Sequence, residues 1–199
     1  MLARLIPVLT WRHSGLGMLQ AYIREGATDE LRAHIWHPVL RREGIEESGL
    51  LHDHRFDLLS DVLIGHIRQV EYELTPPTET GVLQLHEVVH ARAAAGGKHA
   101  PNDGLVTALP QRYGAITREI HVPEGWTYSF PKRAFHGTYP EGLTITLVEK
   151  SDQEEIAARI LAPYGKPVVH AFADPLPEAA WQPVLAEAVE ALGKQWSTR

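Results

Sequence analysis

The sequence predicts an all-β domain with a helix near each end, and three observations support this fold class. Short segments with strand-like hydrophobicity follow one another from Leu50 onward. Glycine and proline clusters separate these segments, and the chain carries 16 Gly and 14 Pro in 199 residues. The last segment changes to helical periodicity. A chain of this length is expected to form one well-packed domain.

The N-terminal region is expected to contain a short helix followed by a strand. Ser14 can cap the helix and Gly26 can end it. The apolar stripe of this helix would consist of Leu16, Leu19, Tyr22 and Ile23. Residues 31–40 are expected to form a strand that meets Pro38 near a sheet edge, and the charged residues 41–48 are expected to form a loop or hairpin tip.

Eight further strands are expected in the central region. They are predicted at 51–57, 60–73, 82–91, 105–109, 115–122, 126–130, 134–139 and 143–149. The long spacer around 76–105 implies an insertion or extra strands, and such loops often form lids or substrate walls. The stretch 151–161 fits either a strand or a helix in which Ser151 and Glu154 form a capping box.

The C-terminal segment predicts an amphipathic helix over 178–196. Its apolar residues recur at i, i+3 and i+4, and they are Trp181, Val184, Leu185, Ala188, Val189 and Leu192. We therefore expect a single domain whose β core spans 49–163. Residues 1–48 would form an N-terminal extension, and residues 164–199 would form a C-terminal extension that contains the helix.

Composition excludes several classes of function. The chain contains no cysteine, so a transition-metal site must use histidine and carboxylate ligands. A net charge of −6 without any Lys/Arg block argues against nucleic acid as a partner. No apolar run approaches the roughly 18 residues that cross a membrane. We expect a soluble, cytoplasmic protein.

Two distant segments together predict a metal site. The first is His52-Asp53-His54, and an H-x-H in an extended segment places both imidazoles on one face because side chains alternate along a strand. The second segment, 125–136, ends in His136. A third histidine from a distant strand would complete a cluster of three neutral nitrogen ligands, which suits Fe, Zn, Ni, Cu or Mn.

At these residues the chain resembles the cupin superfamily, whose fold is a double-stranded β-helix, or jelly roll. The first cupin motif, G-x5-H-x-H-x3,4-E-x6-G, matches at His52, His54 and Gly65. The second, G-x5-P-x-G-x2-H-x3-N, matches at Gly125, Pro131 and His136. The departures are Glu46 in the first Gly slot, Leu58 in the Glu slot, Arg133 in the second Gly slot and Pro140 in the Asn slot.

The resemblance implies one divalent transition metal bound by His52, His54 and His136, without the usual carboxylate. Thiol dioxygenases of the cupin superfamily share this three-His ligand set. The resemblance therefore favours Fe(II) and a non-haem dioxygenase acting on a small molecule. Zn, Ni or Mn with isomerase or lyase chemistry, and a non-catalytic small-molecule-binding cupin, remain open alternatives. Edge-to-edge dimers are common in the family, which implies a homodimer.

Further candidate residues lie in or near the two motifs. Arg55 and Arg133 each neighbour a predicted ligand, and an arginine fork suits a carboxylate substrate. Tyr128 is a candidate proton donor or substrate contact, and His86 is expected to line the barrel near the metal. Residues 86–90 spell H-E-x-x-H, which on a helix would indicate a zinc protease.

Overall fold

The described part of the chain consists of eleven β-strands, two α-helices and two 3-10 turns. A computed structural model describes residues 2–14, 16–26, 29–41, 51–90, 104–166, 168 and 176–197. The helices are α1 (Leu2–Leu5) and α2 (Glu178–Ser197), and the 3-10 turns are Ile6–Val8 and Pro38–Leu40. The strands are β1 (Arg12–Ser14), β2 (Met18–Glu25), β3 (Glu30–Trp36), β4 (Leu51–His52), β5 (Asp57–Leu74), β6 (Leu83–His90), β7 (Gly104–Tyr113), β8 (Ala115–Pro123), β9 (Thr127–Phe130), β10 (Phe135–Ser151) and β11 (Ala158–Pro163).

Two long strands, β5 and β10, organise the sheet. They pair antiparallel along most of their length, with register shifts between Glu141 and Thr146. Gly65 and Gly142 lie at this irregularity and take positive φ values of 76° and 64°. A Cβ on Gly65 would lie 2.5 Å from the Leu143 carbonyl oxygen, so only glycine fits there. The irregularity divides each long strand into two halves.

The halves of β5 and β10 pair with different neighbours, and this produces two layers. The first half of β10 pairs with β4 and the second half with β3. The second half of β5 pairs with β8 and its first half with β9. One layer therefore has the order β7-β6-β11-β4-β10-β5-β8, and the other has the order β1-β2-β3-β10-β5-β9. The predicted all-β jelly roll is confirmed, although the sheet does not close into a complete barrel.

Helix α2 covers the outer face of the β1–β3 layer. Its apolar residues pack in one cluster with Leu19 and Ala21 of β2 and with Ala33 and Ile35 of β3. Burial of this stripe stabilises the helix, which confirms the predicted C-terminal amphipathic helix. Among the described residues, no helix is both long and apolar enough to cross a membrane.

The helix predicted between Ser14 and Gly26 is wrong, because these residues contribute to the β1–β2 hairpin. Leu19 and Ala21 face α2, while Met18 on the opposite face is buried as well. Strand β2 is therefore covered on both faces, and Met18 and Tyr22 on the inner face give its apolar residues a spacing that also fits a helix. The N-terminal helix is instead the single turn α1.

Several predicted strand boundaries also need correction. The two strands predicted at 134–139 and 143–149 form one strand, β10, because Gly142 accommodates the bend without ending the pairing. The strand predicted at 51–57 stops after His52. The ambiguous 151–161 stretch contributes to strand β11 and not to a helix. Residues 42–48 of the predicted loop and 91–103 of the predicted insertion lie outside the described residues.

The H-E-x-x-H sequence lies in strand β6, which excludes the zinc-protease interpretation. In a strand, His86 and Glu87 point to opposite faces. Glu87 therefore cannot act as a base beside a metal bound to His86, as the glutamate of a helical H-E-x-x-H does.

Candidate metal centre

Three histidine side chains, those of His52, His54 and His136, converge between the two layers. One ring nitrogen from each lies within 4.8 Å of a ring nitrogen of each of the others. The ring centroids are 4.7 Å apart for His52 and His54, 5.0 Å for His52 and His136, and 4.9 Å for His54 and His136. We call this group the histidine triad.

Strand pairing brings the triad together. His52 of β4 is the direct cross-strand partner of His136 of β10, and paired residues project on the same face of a sheet. His54 follows two residues after His52, so the near-extended chain returns it to that face. On its other side β4 pairs with β11 through Ile160. The short ligand segment is therefore held between two longer strands.

Asp53, between the two histidines, anchors the segment from the opposite face. Its carboxylate is fully buried and accepts hydrogen bonds from the Arg159 backbone nitrogen at 2.7 Å and from Arg159 Nε at 2.6 Å. Arg133 Nη1 lies 3.4 Å from the same carboxylate. The backbone nitrogen of Asp53 donates to the Arg159 carbonyl at 2.9 Å. These contacts fix the position and orientation of the segment that carries His52 and His54.

Arg133 has a structural role in this anchor. It stands in a motif slot where cupins carry glycine, and it adopts the left-handed conformation with φ of 69°. Its backbone nitrogen donates to the His54 carbonyl at 2.8 Å, and its Nη1 donates to the Ala157 carbonyl at 2.7 Å. The guanidinium is thus engaged with Asp53 and Ala157, which argues against the predicted role in binding substrate.

Aromatic rings and one backbone carbonyl fix the orientation of two triad members. Phe130 stacks on His136 with centroids 4.1 Å apart, and Phe56 stacks on His54 at 4.6 Å. His136 Nδ1 lies 3.2 Å from the Ala134 carbonyl oxygen. When Nδ1–H donates to that oxygen, the lone pair is on Nε2, which is the tautomer that a metal ligand needs.

Burial keeps two members of the triad, His54 and His136, in the neutral form that binds metal. Desolvation, with the nearby His52, lowers the pKa of His136 to about 3. Desolvation, followed by the proximity of His52 and His136, also lowers the pKa of His54 well below its ordinary value. At neutral pH these imidazoles therefore carry a free lone pair. Neutral nitrogen donors at this spacing fit a divalent transition metal.

The carboxylate position of the cupin motif is apolar. Leu58 is buried and packs in a cluster with Phe56, Phe130 and Val148, two of which stack on triad rings. Asp57 is turned to the other face, where it accepts a hydrogen bond from the Lys132 backbone nitrogen at 2.8 Å. Neither position 57 nor position 58 therefore supplies a carboxylate ligand beside the triad.

The three predicted catalytic residues lie in different parts of the molecule. Tyr128 lies in the interior, where burial raises its pKa to about 12. His86 is buried on the triad's face but two strands from His52, with Ile160 between them. Arg55 directly follows His54 and is close enough to Lys150 to lower the pKa of that amine.

A second group of polar side chains near the triad was not predicted from the sequence. Lys150 Nζ lies 3.9 Å from the centroid of the Phe56 ring, and Arg32 and His34 are buried on the neighbouring strand β3. The alternation of polar residues at 30, 32 and 34 indicated in the sequence that these residues share one face of a strand. Only the register of β3 against β10 places them beside Lys150.

If the Asp53 anchor holds the triad, replacing Asp53 with Asn should weaken both folding and metal binding. We expect Asp53→Asn to lower the free energy of unfolding by about 2 kcal/mol, because two partly buried arginines lose their counter-charge. Zinc affinity should fall about tenfold. Urea unfolding and zinc titration measure these effects. Asp61→Asn is the control, since Asp61 accepts a hydrogen bond from an exposed Thr127 hydroxyl. Equal effects of both substitutions would contradict the anchor.

Comparison with known proteins adds distant structural likeness. No protein-family model matches the sequence, and no curated protein matches it. An RmlC-like cupin from Shewanella frigidimarina NCIMB 400 is 12% identical, with 72% of this chain and 83% of that chain covered and a TM-score of 0.36. KdgF from Halomonas sp. is 11% identical, with 74% and 92% covered and a TM-score of 0.40. The hydroquinone 1,2-dioxygenase from Sphingomonas sp. TTNP3 is 11% identical, with 65% and 63% covered and a TM-score of 0.33.

The strand order and the histidine triad confirm the cupin resemblance that the motifs indicate. The similar solved structures include an RmlC-like cupin, but at these identities and TM-scores they carry no argument about the fold, the metal, the substrate or the reaction.

Proposed function

We propose that the chain binds one divalent transition metal through His52, His54 and His136 and acts as a metal-dependent enzyme on a small molecule. The observation that carries this proposal is the convergence of three imidazole nitrogens within 4.8 Å of one another. Burial that keeps His54 and His136 neutral supports it. Among metals we favour Fe(II), and among reactions that of a non-haem dioxygenase.

The donor set is the reason for this preference. Three neutral ligands on one side of an ion leave coordination positions for a substrate and a second small ligand. When bound, the metal would supply Lewis acidity or a centre at which dioxygen binds. Because Leu58 replaces the motif carboxylate, no protein carboxylate of the motif offsets the charge of the ion. An anionic substrate would provide that compensation.

The surrounding residues would orient the reactants and exclude water. Phe56, Leu58 and Phe130 form an apolar wall behind the triad. Tyr128 keeps its proton at neutral pH because its pKa is raised to about 12, so it would act as a hydrogen-bond donor and not as a base. We retain Arg55 and His86 as candidate substrate contacts, since one follows a ligand directly and the other lies on the triad's face.

Metal content tests the ligand assignment. We expect purified protein to bind one equivalent of Fe(II) or Zn(II), and His52→Ala, His54→Ala and His136→Ala each to lose it, because two imidazoles hold these ions far more weakly than three. Elemental analysis after equilibrium dialysis measures the stoichiometry. His66→Ala and His121→Ala are matched controls, since both side chains are exposed and paired with glutamates. Full metal content in all three triad variants would refute the assignment.

Nitric oxide tests whether the metal has open positions for dioxygen. We expect anaerobic Fe(II)-loaded protein to give the EPR signal of a high-spin iron–nitrosyl complex, because nitric oxide occupies the position that dioxygen would use. The Zn(II)-loaded protein should give none. Stoichiometric iron without this signal would contradict the dioxygenase proposal and would favour a binding module.

A further inference from the structure

A cluster of polar side chains lies inside the jelly roll beside the histidine triad, and the proposed chemistry does not account for it. We call it the interior cluster. Its members are Glu30, Arg32, His34 and Trp36 of β3 and Thr146 and Lys150 of β10. The register pairs Lys150 with Glu30 and Thr146 with His34 directly across the two strands. All six side chains therefore project on one face.

That face is the interior one. The intervening residues Ala33 and Ile35 pack against α2 on the outside, so the alternate positions of β3 must point inward. Lys150 Nζ lies 3.9 Å from the centroid of the Phe56 ring, which itself stacks on His54. The Phe56 ring thus lies between Lys150 of the interior cluster and His54 of the triad.

Buried polar atoms of the interior cluster lack partners. Arg32 Nε, His34 Nε2, Trp36 Nε1 and Thr146 Oγ1 are buried without any hydrogen-bond partner among the described residues. The arginine and tryptophan groups can only donate. Buried donors are nearly always satisfied in native proteins, so unpaired ones that project on one face of two neighbouring strands indicate a missing acceptor.

The interior cluster also has two basic side chains for one carboxylate. Arg32 and Lys150 share the single carboxylate of Glu30, with Arg32 Nη2 in direct contact and Lys150 Nζ at 3.6 Å. Both basic side chains are about nine-tenths buried. Burial, followed by the charge of Arg32, lowers the pKa of Lys150 well below its ordinary value. A bound anion would favour the charged form of Lys150.

We propose that the interior cluster binds a carboxylate group, and that this group belongs to the substrate of the metal centre. The free Nε–H of Arg32, the indole N–H of Trp36 and the hydroxyl of Thr146 are donors that carboxylate oxygens can accept. The assignment to the substrate rests on the proposed function, whereas the binding itself does not require the metal.

The indole N–H of Trp36 provides a direct test. In NMR spectra of the full chain, titration with acetate should shift the Trp36 indole signal downfield and saturate, because the free donor gains an acceptor. Acetamide, which lacks the charge, should not. Trp11 and Trp181 are internal controls, since their indole nitrogens already donate to backbone carbonyls of Ile6 and Leu176 at 2.8 and 3.3 Å. Trp36→Phe assigns the signal.

Substitutions test the contribution of each group. Arg32→Gln should weaken acetate binding at least tenfold, while Arg24→Gln should leave it unchanged, because Arg24 forms exposed ion pairs on the same layer. Thr146→Val, which preserves shape, should weaken binding about threefold to tenfold. If Arg32→Gln fails to fold, Thr146→Val and the acetate response of the unsubstituted chain still test the proposal.

Metal-free protein separates this inference from the proposed function. Chelator-treated protein and His54→Ala should retain the acetate response of Trp36 even without metal. If Trp36 responds to acetate while neither the unsubstituted chain nor any variant binds metal, the carboxylate site is supported and the metal centre is refuted. An unshifted Trp36 signal, an equal shift with acetamide, or a response that requires metal would overturn the carboxylate site.

Discussion

The pairing of β4 with β10 is the constraint on which the candidate site depends. This pairing places His52 opposite His136, and a slip of one residue would send His52 and His54 to the other face of the layer. Because β4 contains only two residues, its own ladder cannot hold the register. The buried carboxylate of Asp53, bonded to Arg159 on β11, supplies the missing restraint. Asp53, which is not a predicted metal ligand, therefore holds the strand register on which the candidate site depends.

The interior of the jelly roll combines features that favour the same kind of ligand. Apolar contacts from Phe56 and Phe130 orient the triad and exclude water from it. A metal held by neutral imidazoles keeps its full charge, and the nearby Arg32 and Lys150 share only one carboxylate. In a medium of low dielectric, both features attract a small anion. The apolar Leu58 in the motif's carboxylate slot is consistent with this arrangement.

The spacing of residues within short segments predicted the elements that depend only on neighbouring residues in the sequence. The i, i+3, i+4 stripe of α2 and the H-x-H alternation were sufficient for the C-terminal helix and for the shared face of His52 and His54. Motif spacing added His136 across a long sequence separation. The hairpin of β1 and β2 was missed because Met18 and Tyr22 lie on the face of β2 that does not contact α2, so the apolar residues of the strand also fit helical spacing. The interior cluster and the engagement of Arg133 with Asp53 depend on strand register, which sequence spacing does not encode.

The central claim is that the triad forms one metal site, and anomalous diffraction from crystals of the metal-loaded protein tests it most directly. The account predicts a single anomalous peak between the two layers, with one ring nitrogen each of His52, His54 and His136 at roughly 2.0–2.2 Å from the ion. A peak coordinated by other residues, or an ion bound by fewer than three of these histidines, would contradict it.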